Sequence, residues 1–219
     1  KASILGLYGQ NGSGKTALID ALEMLQLAFS GRPVPDHFAD YINVDSEYAT
    51  LKYGLKVSSQ EKGCVYSVLY EVNLRRELDH AEHNMEQPAV GESYKAVLSD
   101  EVLSYSYECA DKKVKRLPVI DTRTPEDTVF LPETKYHVII GKDKETATSL
   151  LVAKQLARTT SRSFVFSREL LNAIRKNCRE DCHRFLIDNL VYYGNRQLFI
   201  INTTNICLLY TSDAADEED

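Results

Sequence analysis

Long apolar runs and an apolar leader are both lacking in this 219-residue chain. None of its apolar stretches approaches the roughly 20 residues that a membrane-spanning helix needs. The chain opens directly with KASILGLYG, which has no features of a secretory signal peptide. We therefore expect a cytoplasmic protein without a membrane segment, long enough for one globular domain or one domain with an insertion.

A disulfide framework is also lacking, because the five cysteines are scattered along the chain without a regular spacing. Unpaired thiols are typical of the reducing cytoplasm, which agrees with the absence of a leader. The cysteines are Cys64, Cys109, Cys178, Cys182 and Cys207.

The C-terminal tail, residues 207–219, differs from everything before it. Its first part, CLLYTSDAADE, matches the in-frame translation of a sequencing-library transposon adapter, so the tail is excluded from reasoning about the fold. The alternative is a short strand followed by an acidic tail. Without the five acidic residues of the tail, 26 basic residues face 27 acidic ones, so the net charge of −6 indicates nothing about partners. We expect the natural protein to continue beyond residue 206 and to begin upstream of Lys1.

A glycine-rich stretch, GQNGSGKT at residues 9–16, fits the phosphate-loop pattern G-x-x-x-x-G-K-[ST]. The apolar run SILGLY before it predicts a buried strand. Apolar residues after it recur at helical spacing and predict a helix that Gly31 and Pro33 end. These apolar residues are Leu18, Leu22, Leu25 and Phe29.

The glycines of this loop let the backbone curl so that successive N–H groups point inward and form an anion-binding nest. The N-terminal end of the following helix adds positive potential. Lys15 is expected to reach the β- and γ-phosphates of ATP as the catalytic residue, and the Thr16 hydroxyl is expected to ligate Mg²⁺. The predicted nucleotide contacts are Gly9, Gln10, Asn11, Gly12, Ser13, Gly14, Lys15, Thr16 and Ala17.

The loop GQNGSGKT, the helix TALIDALEMLQLAFSG and the β-rich portion after it resemble bacterial AAA family ATP-binding proteins of the ABC-type ATPase clan. That clan includes SMC proteins, RecF and the ATPase part of OLD-family nucleases. The resemblance implies an α/β fold, namely a P-loop NTPase head of the ABC-ATPase type with an antiparallel β-rich lobe and a helical segment. It also implies ATP and Mg²⁺ as cofactors, a nucleotide-dependent homodimer, ATP hydrolysis by the full-length protein, and work in DNA maintenance or phage defence.

An expected partial ATPase domain of residues 1–206 divides into three segments. Residues 1–33 hold the strand, loop and helix. Residues 48–141 alternate apolar and polar side chains, as in VYSVLYEVNL, which predicts antiparallel strands in series. Residues 142–206 turn helical, with one helix in KETATSLLVAKQLAR and a second, longer one capped by Ser167. The inner face of the second helix is predicted to hold Leu170, Leu171, Ile174, Cys178, Phe185 and Leu186.

Two parts of a working ATPase of this clan are missing from the sequence: a Walker B strand ending in Asp-Glu and a serine-glycine signature loop. Asp121 and Asp188 follow apolar residues but lack a following acid, and Glu71 is expected at an exposed strand position. We therefore expect these residues to bind phosphates without hydrolysing ATP.

Other functions stay open at this point. A P-loop kinase for a small metabolite needs a βαβ rhythm, which serial antiparallel strands argue against. A transporter-type ATPase subunit has the same loop. A GTPase is less favoured because the N-K-x-D motif is absent, and a fragment without activity is the remaining alternative.

Two further groups of side chains are weak candidates for a metal site. Cys178, Cys182 and His183 form C-x₃-C-H, for which zinc binding is one interpretation and thiols packed in a helical core are the favoured one. His80 and His83 lie in a polar segment without a second pair of ligands.

Eight basic residues between Lys154 and Arg184 are opposed by only three acidic ones. Contact with DNA is one interpretation, since phosphates favour clustered arginine and lysine. The favoured interpretation is a solvated helix face on which some arginines pair with acids.

Overall fold

The computed structural model describes residues 8–10, 14–59, 61, 63–78, 94–110 and 112–200. The first elements are α1 (Lys15–Phe29), a 3-10 helix (Asp36–Tyr41), β1 (Tyr48–Ser59), β2 (Cys64–Leu78), β3 (Tyr94–Glu108) and β4 (Lys113–Asp121). They are followed by α2 (Glu133–Ile139), α3 (Lys144–Thr159), α4 (Arg168–Asn177), α5 (Asp181–Tyr192) and a π-helix (Tyr193–Gln197). None of the helices in these ranges has the length and apolar character that crossing a membrane requires.

The four strands form one open antiparallel sheet in the order β1-β2-β3-β4, so each strand pairs with the next one along the chain. β2 alternates between buried and half-buried side chains because successive residues of a strand point to opposite faces. Tyr70 at its centre lies opposite Tyr53 of β1 and Leu103 of β3. The core-facing residues of β2 are Tyr66, Val68, Tyr70, Val72 and Leu74, each at most 2% exposed.

This sheet corrects the fold class expected from the sequence. A P-loop NTPase head of the ABC-ATPase type is built on parallel strands joined by crossover helices. In the described part of the chain, every strand pair is antiparallel and joins consecutive strands. The expected fold class is therefore wrong, and these residues form a small α/β fold around an antiparallel sheet. Of the strand predicted at residues 3–8, only Tyr8 is among the described residues.

Helix α1 packs on the core with its C-terminal half. Phe29 is fully buried, with its ring centroid 5.5 Å from that of Tyr70 and 4.6 Å from that of Phe166. Leu18, which was expected on the buried stripe, is 47% exposed, so the predicted stripe is wrong for the N-terminal half. The helix ends where predicted, because Gly31 adopts a left-handed φ of 65° directly after it.

A buried carboxylate joins the sheet to the segment that precedes α4. Glu101 of β3 accepts hydrogen bonds from the hydroxyls of Tyr70, at 2.6 Å, and Ser163. It also accepts from the backbone N–H groups of Phe164, at 2.7 Å, and Val165, at 3.3 Å. Burial raises the pKa of Glu101, and these hydrogen bonds oppose that rise. Because all four partners donate, the carboxylate holds the segment against β2 and β3.

The helical portion contains a break that corrects the sequence prediction. Asp143 caps α3 by accepting a hydrogen bond from the Thr146 N–H, and Ser167 caps α4 as predicted. The single long helix expected after Ser167 is wrong, because α4 ends at Asn177 and α5 begins at Asp181. On the predicted inner face, the fully buried residues are Leu170, Ile174 and Leu186.

Two cysteines at the open end of the β2–β3 pair form a disulfide. Cys64 begins β2, and Cys109 directly follows β3. The antiparallel register brings them together, since Val65 lies opposite Glu108. The expectation of unpaired cysteines is therefore wrong for this pair.

Candidate functional site

The phosphate-loop motif lies at the N-terminal end of α1, on the surface. The structure describes Gly9, Gln10 and residues 14–17 of the predicted site, whereas residues 11–13 lie outside the described ranges. Gly9, Gln10, Gly14, Thr16 and Ala17 are exposed, and Lys15 is half-buried. A ligand from solvent can therefore reach the described part of the loop directly.

Gly14 sets the point at which the chain enters α1. Its φ of 82° and ψ of 11° lie in the left-handed region, where a Cβ would crowd the backbone. No atom lies within 4 Å of the position that such a Cβ would take, so the backbone angle is what requires glycine here. The Gly14 carbonyl accepts a hydrogen bond from the Leu18 N–H at 3.2 Å, and the helix begins at Lys15.

The Lys15 side chain folds back over the loop that precedes it. Its Nζ donates to the carbonyl oxygens of Gly9 and Gln10, each at 2.8 Å. These contacts join the first and last parts of the motif, so the ammonium is fixed beside the helix end rather than extended into solvent. The chain thereby brings a positive charge and the start of α1 to one place.

The electrostatics of the helix end favour an anion. The first turn of α1 contains no acidic residue, so its backbone N–H groups keep the positive potential of a helix N-terminus. The first acid along the helix is Asp20, whose Oδ2 accepts a hydrogen bond from the Tyr41 hydroxyl at 2.5 Å. That hydrogen bond is the main cause that raises the pKa of Tyr41. Thr16, in the first turn, is exposed.

The three acids considered for a Walker B role are all held in ion pairs. Asp188 of α5 accepts from Arg175 at 3.0 Å, and Asp121 of β4 accepts from Arg123 at 2.7 Å. Glu71 of β2 lies opposite Lys52 of β1, with their charged atoms 3.0 Å apart. Each carboxylate therefore has a structural partner.

Of the three predicted zinc ligands, Cys182 and His183 belong to one cluster of possible metal ligands and Cys178 does not. Cys182 and His183 sit in the first turn of α5 beside Glu180, and the ligand atoms of these three residues lie within 4.8 Å of one another. Cys178 has its Sγ 3.3 Å from the Glu180 carbonyl oxygen, to which it donates. His80 and His83 lie outside the described residues.

The sequence did not reveal the neighbours of this second cluster. Lys135 of α2 lies 3.3 Å from the Nε2 of His183, and Tyr105 of β3 lies 2.8 Å from its Nδ1. These residues are separated from His183 by 48 and 78 positions, so no local spacing could have indicated them.

Several members of the basic run are engaged with acids or carbonyls. Arg158 pairs with Glu77 at 2.6 Å, and Arg175 pairs with Asp188. Lys154 donates to the Thr128 carbonyl at 3.0 Å. These contacts join α3 to β2 and to the loop before α2, and α4 to α5, so they differ from the pairs along one helix that the favoured interpretation expects. Arg184 and Asp181 of α5, with their charged atoms 4.0 Å apart, do form a pair of that kind.

Comparison with family models, with curated proteins and with solved structures found no match to this chain. The resemblance to AAA family ATP-binding proteins therefore rests on the sequence alone, namely on the loop, the helix after it and the β-rich portion.

Proposed function

We propose that the chain binds the terminal phosphates of ATP, with Mg²⁺, at the loop of residues 9–17. The observation that carries this proposal is the placement of the Lys15 ammonium. It lies 2.8 Å from the carbonyl oxygens of Gly9 and Gln10, where the motif G-x-x-x-x-G-K-[ST] meets the start of α1. The motif supplies the residue types, and the folded-back lysine supplies the charge.

Phosphate recognition at this site uses two sources of positive potential. One is the N-terminal end of α1, whose first turn contains no acid. The other is Lys15, whose charge makes its hydrogen bonds to phosphate oxygens stronger than neutral ones. Lys15 is the first residue of α1, so both act at the same end of the helix and together favour a di- or triphosphate over a ligand with a single phosphate.

Mg²⁺ in this proposal is held by the Thr16 hydroxyl, the phosphates and water. Mg²⁺ prefers octahedral oxygen ligands and keeps several waters, so a single protein hydroxyl is an ordinary protein contribution. The exposed position of Thr16 in the first turn leaves its side chain open to solvent. The proposal covers binding only, because the sequence has no run of four apolar residues followed by Asp-Glu.

Calorimetric titration with ATP, ADP and AMP in the presence of Mg²⁺ tests this function. We expect ATP and ADP to bind and AMP to bind far more weakly, because the proposed contacts are to the β- and γ-phosphates. Thr16→Ala should weaken the dependence of ATP binding on Mg²⁺, and Thr16→Ser should preserve it. Equal affinity for ATP and AMP would contradict the proposal.

A further inference from the structure

A second cluster of side chains lies at the start of α5, apart from the phosphate loop. Glu180 precedes the helix, and Cys182 and His183 occupy its first turn. The Oε2 of Glu180 lies 2.7 Å from the Nε2 of His183 and 3.9 Å from the Sγ of Cys182. The imidazole is 1% exposed, whereas Glu180 and Cys182 are half-buried. The cluster is therefore a set of three donor atoms with one side reachable from solvent.

We propose that Glu180, Cys182 and His183 form a zinc site, with water as the fourth ligand. This inference is independent of the nucleotide-binding proposal. A thiolate, an imidazole and a carboxylate are the three ligand types that Zn²⁺ takes in proteins, whereas Mg²⁺ and Ca²⁺ avoid sulfur.

The distances fit a small cation after minor side-chain adjustment. With bonds of about 2.0–2.3 Å in a tetrahedral site, donor atoms lie roughly 3.3–3.7 Å apart. The observed separations of 2.7 Å between oxygen and nitrogen and 3.9 Å between oxygen and sulfur fall on either side of that range. All three donor atoms lie within 4.8 Å of one another. Opening the closer pair requires the half-buried Glu180 side chain to rotate away from His183.

The buried imidazole is oriented for metal binding by a second residue. The Tyr105 hydroxyl lies 2.8 Å from His183 Nδ1 and 3.3 Å from Cys182 Sγ. A metal-bound histidine donates its other ring N–H to an oxygen, which fixes the tautomer and the plane of the ring. When the ring proton is on Nδ1, Tyr105 supplies that oxygen, and Nε2, which lies 2.7 Å from the Oε2 of Glu180, is the nitrogen left to bind the metal.

The ammonium group of Lys135 contacts two of the proposed zinc ligands, Glu180 and His183. The Nζ of Lys135 lies 3.3 Å from the Oε2 of Glu180 and 3.3 Å from the Nε2 of His183. The ammonium occupies the side on which a metal would bind, and it competes with Zn²⁺ through both its position and its charge. Its side chain is 26% exposed, so it can swing into solvent when the metal binds.

Titration of the full chain with Co²⁺ as a spectroscopic probe, followed by competition with Zn²⁺, tests the site. We expect a thiolate-to-cobalt charge-transfer band that Cys182→Ser abolishes. Cys178→Ser is the matched control, because that thiol lies next to the cluster but donates to the Glu180 carbonyl. It should leave the band unchanged. Tyr105→Phe should weaken metal binding by roughly 10–100-fold.

Lys135→Met tests the site without removing a proposed ligand, so it gives a result even if a ligand variant fails to fold. Removing the competing ammonium should tighten Zn²⁺ binding by about tenfold or more. The proposal is overturned if no band appears in the parent chain or in Lys135→Met. It is also overturned if the band survives Cys182→Ser, if it is lost in Cys178→Ser, or if Lys135→Met binds Zn²⁺ no more tightly.

Discussion

The Tyr70 hydroxyl of β2 donates a hydrogen bond to the Oε1 of Glu101 on β3, at 2.6 Å, inside the core. The same carboxylate accepts from Ser163 and from two backbone N–H groups of the following residues. Two strands and the segment before α4 therefore meet at one charged group. Satisfied networks of this kind fix a unique arrangement, and partial satisfaction is costly.

Replacing the carboxylate by an amide should destabilise the fold. Glu101→Gln places an NH₂ group against N–H donors, and a buried donor without an acceptor costs about 1–3 kcal/mol. We expect the free energy of unfolding, measured by urea denaturation, to fall by roughly that amount. Glu108→Gln on the same strand is the control, because its carboxylate is 66% exposed beside Lys113. If both variants lowered the free energy of unfolding by similar amounts, the buried network would contribute no more to stability than an exposed ion pair does.

A glycine after α5 allows α1 to pack closely. A Cβ added at Gly194 would lie 2.5 Å from the Cβ of Phe29, which is closer than any ordinary contact. Gly194→Ala should therefore lower the free energy of unfolding by about 1–3 kcal/mol through overpacking. Gly54→Ala in β1 has no atom within 4 Å of its added Cβ, so its stability should stay the same or rise slightly. Thermal unfolding that is unchanged for Gly194→Ala would contradict this packing.

The stability of α3 should depend on pH through its cap. The Thr146 side chain and backbone N–H donate to Asp143 and lower the pKa of this carboxyl. Because the pKa is lower in the folded chain than in the unfolded one, the stabilisation is present above the unfolded value. It is lost as the pH falls through the folded value.

Asp143→Asn provides the comparison, since asparagine caps a helix without titrating. We expect the protection of α3 amides against hydrogen exchange to differ between the two proteins at neutral pH. That difference should narrow below about pH 4. A difference that stays constant with pH would show that the charge of Asp143 has no part in the cap.

The strands and the end of α1 could be predicted because their signals are local. Alternation in VYSVLYEVNL indicates β2 directly, and Gly31 stops α1 through its own backbone conformation. The break between α4 and α5 has no such signal, because residues 178–180 contain neither glycine nor proline. The fold class was missed for a related reason. A phosphate-loop motif indicates a local loop and helix, and it does not fix how distant strands pair.

The candidate sites also differ in how far local sequence signals predict them. The phosphate loop is contiguous in sequence, so every residue type that it needs could be read from GQNGSGKT. Only part of the cluster at α5 could be predicted from the sequence. Cys182 and His183 are adjacent in the chain, whereas Tyr105 and Lys135 belong to β3 and α2. Glu101 was not recognised at all, since its partners are 31 and 62 residues away. Tertiary packing decides such contacts, and spacing along the chain does not record them.

Nucleotide affinity of Lys15→Ala, compared with that of Lys144→Ala, tests the central claim most directly. Both lysines are the first residue of a helix, so the two variants remove the same charge from equivalent helix positions. We predict that Lys15→Ala binds Mg²⁺–ATP roughly 10–100-fold more weakly than the parent chain, because hydrogen bonds to charged groups contribute about 1.5–3 kcal/mol. Lys144→Ala should bind as the parent does. If Lys15→Ala retained the parent's affinity, the loop at the start of α1 would not be a phosphate-binding site.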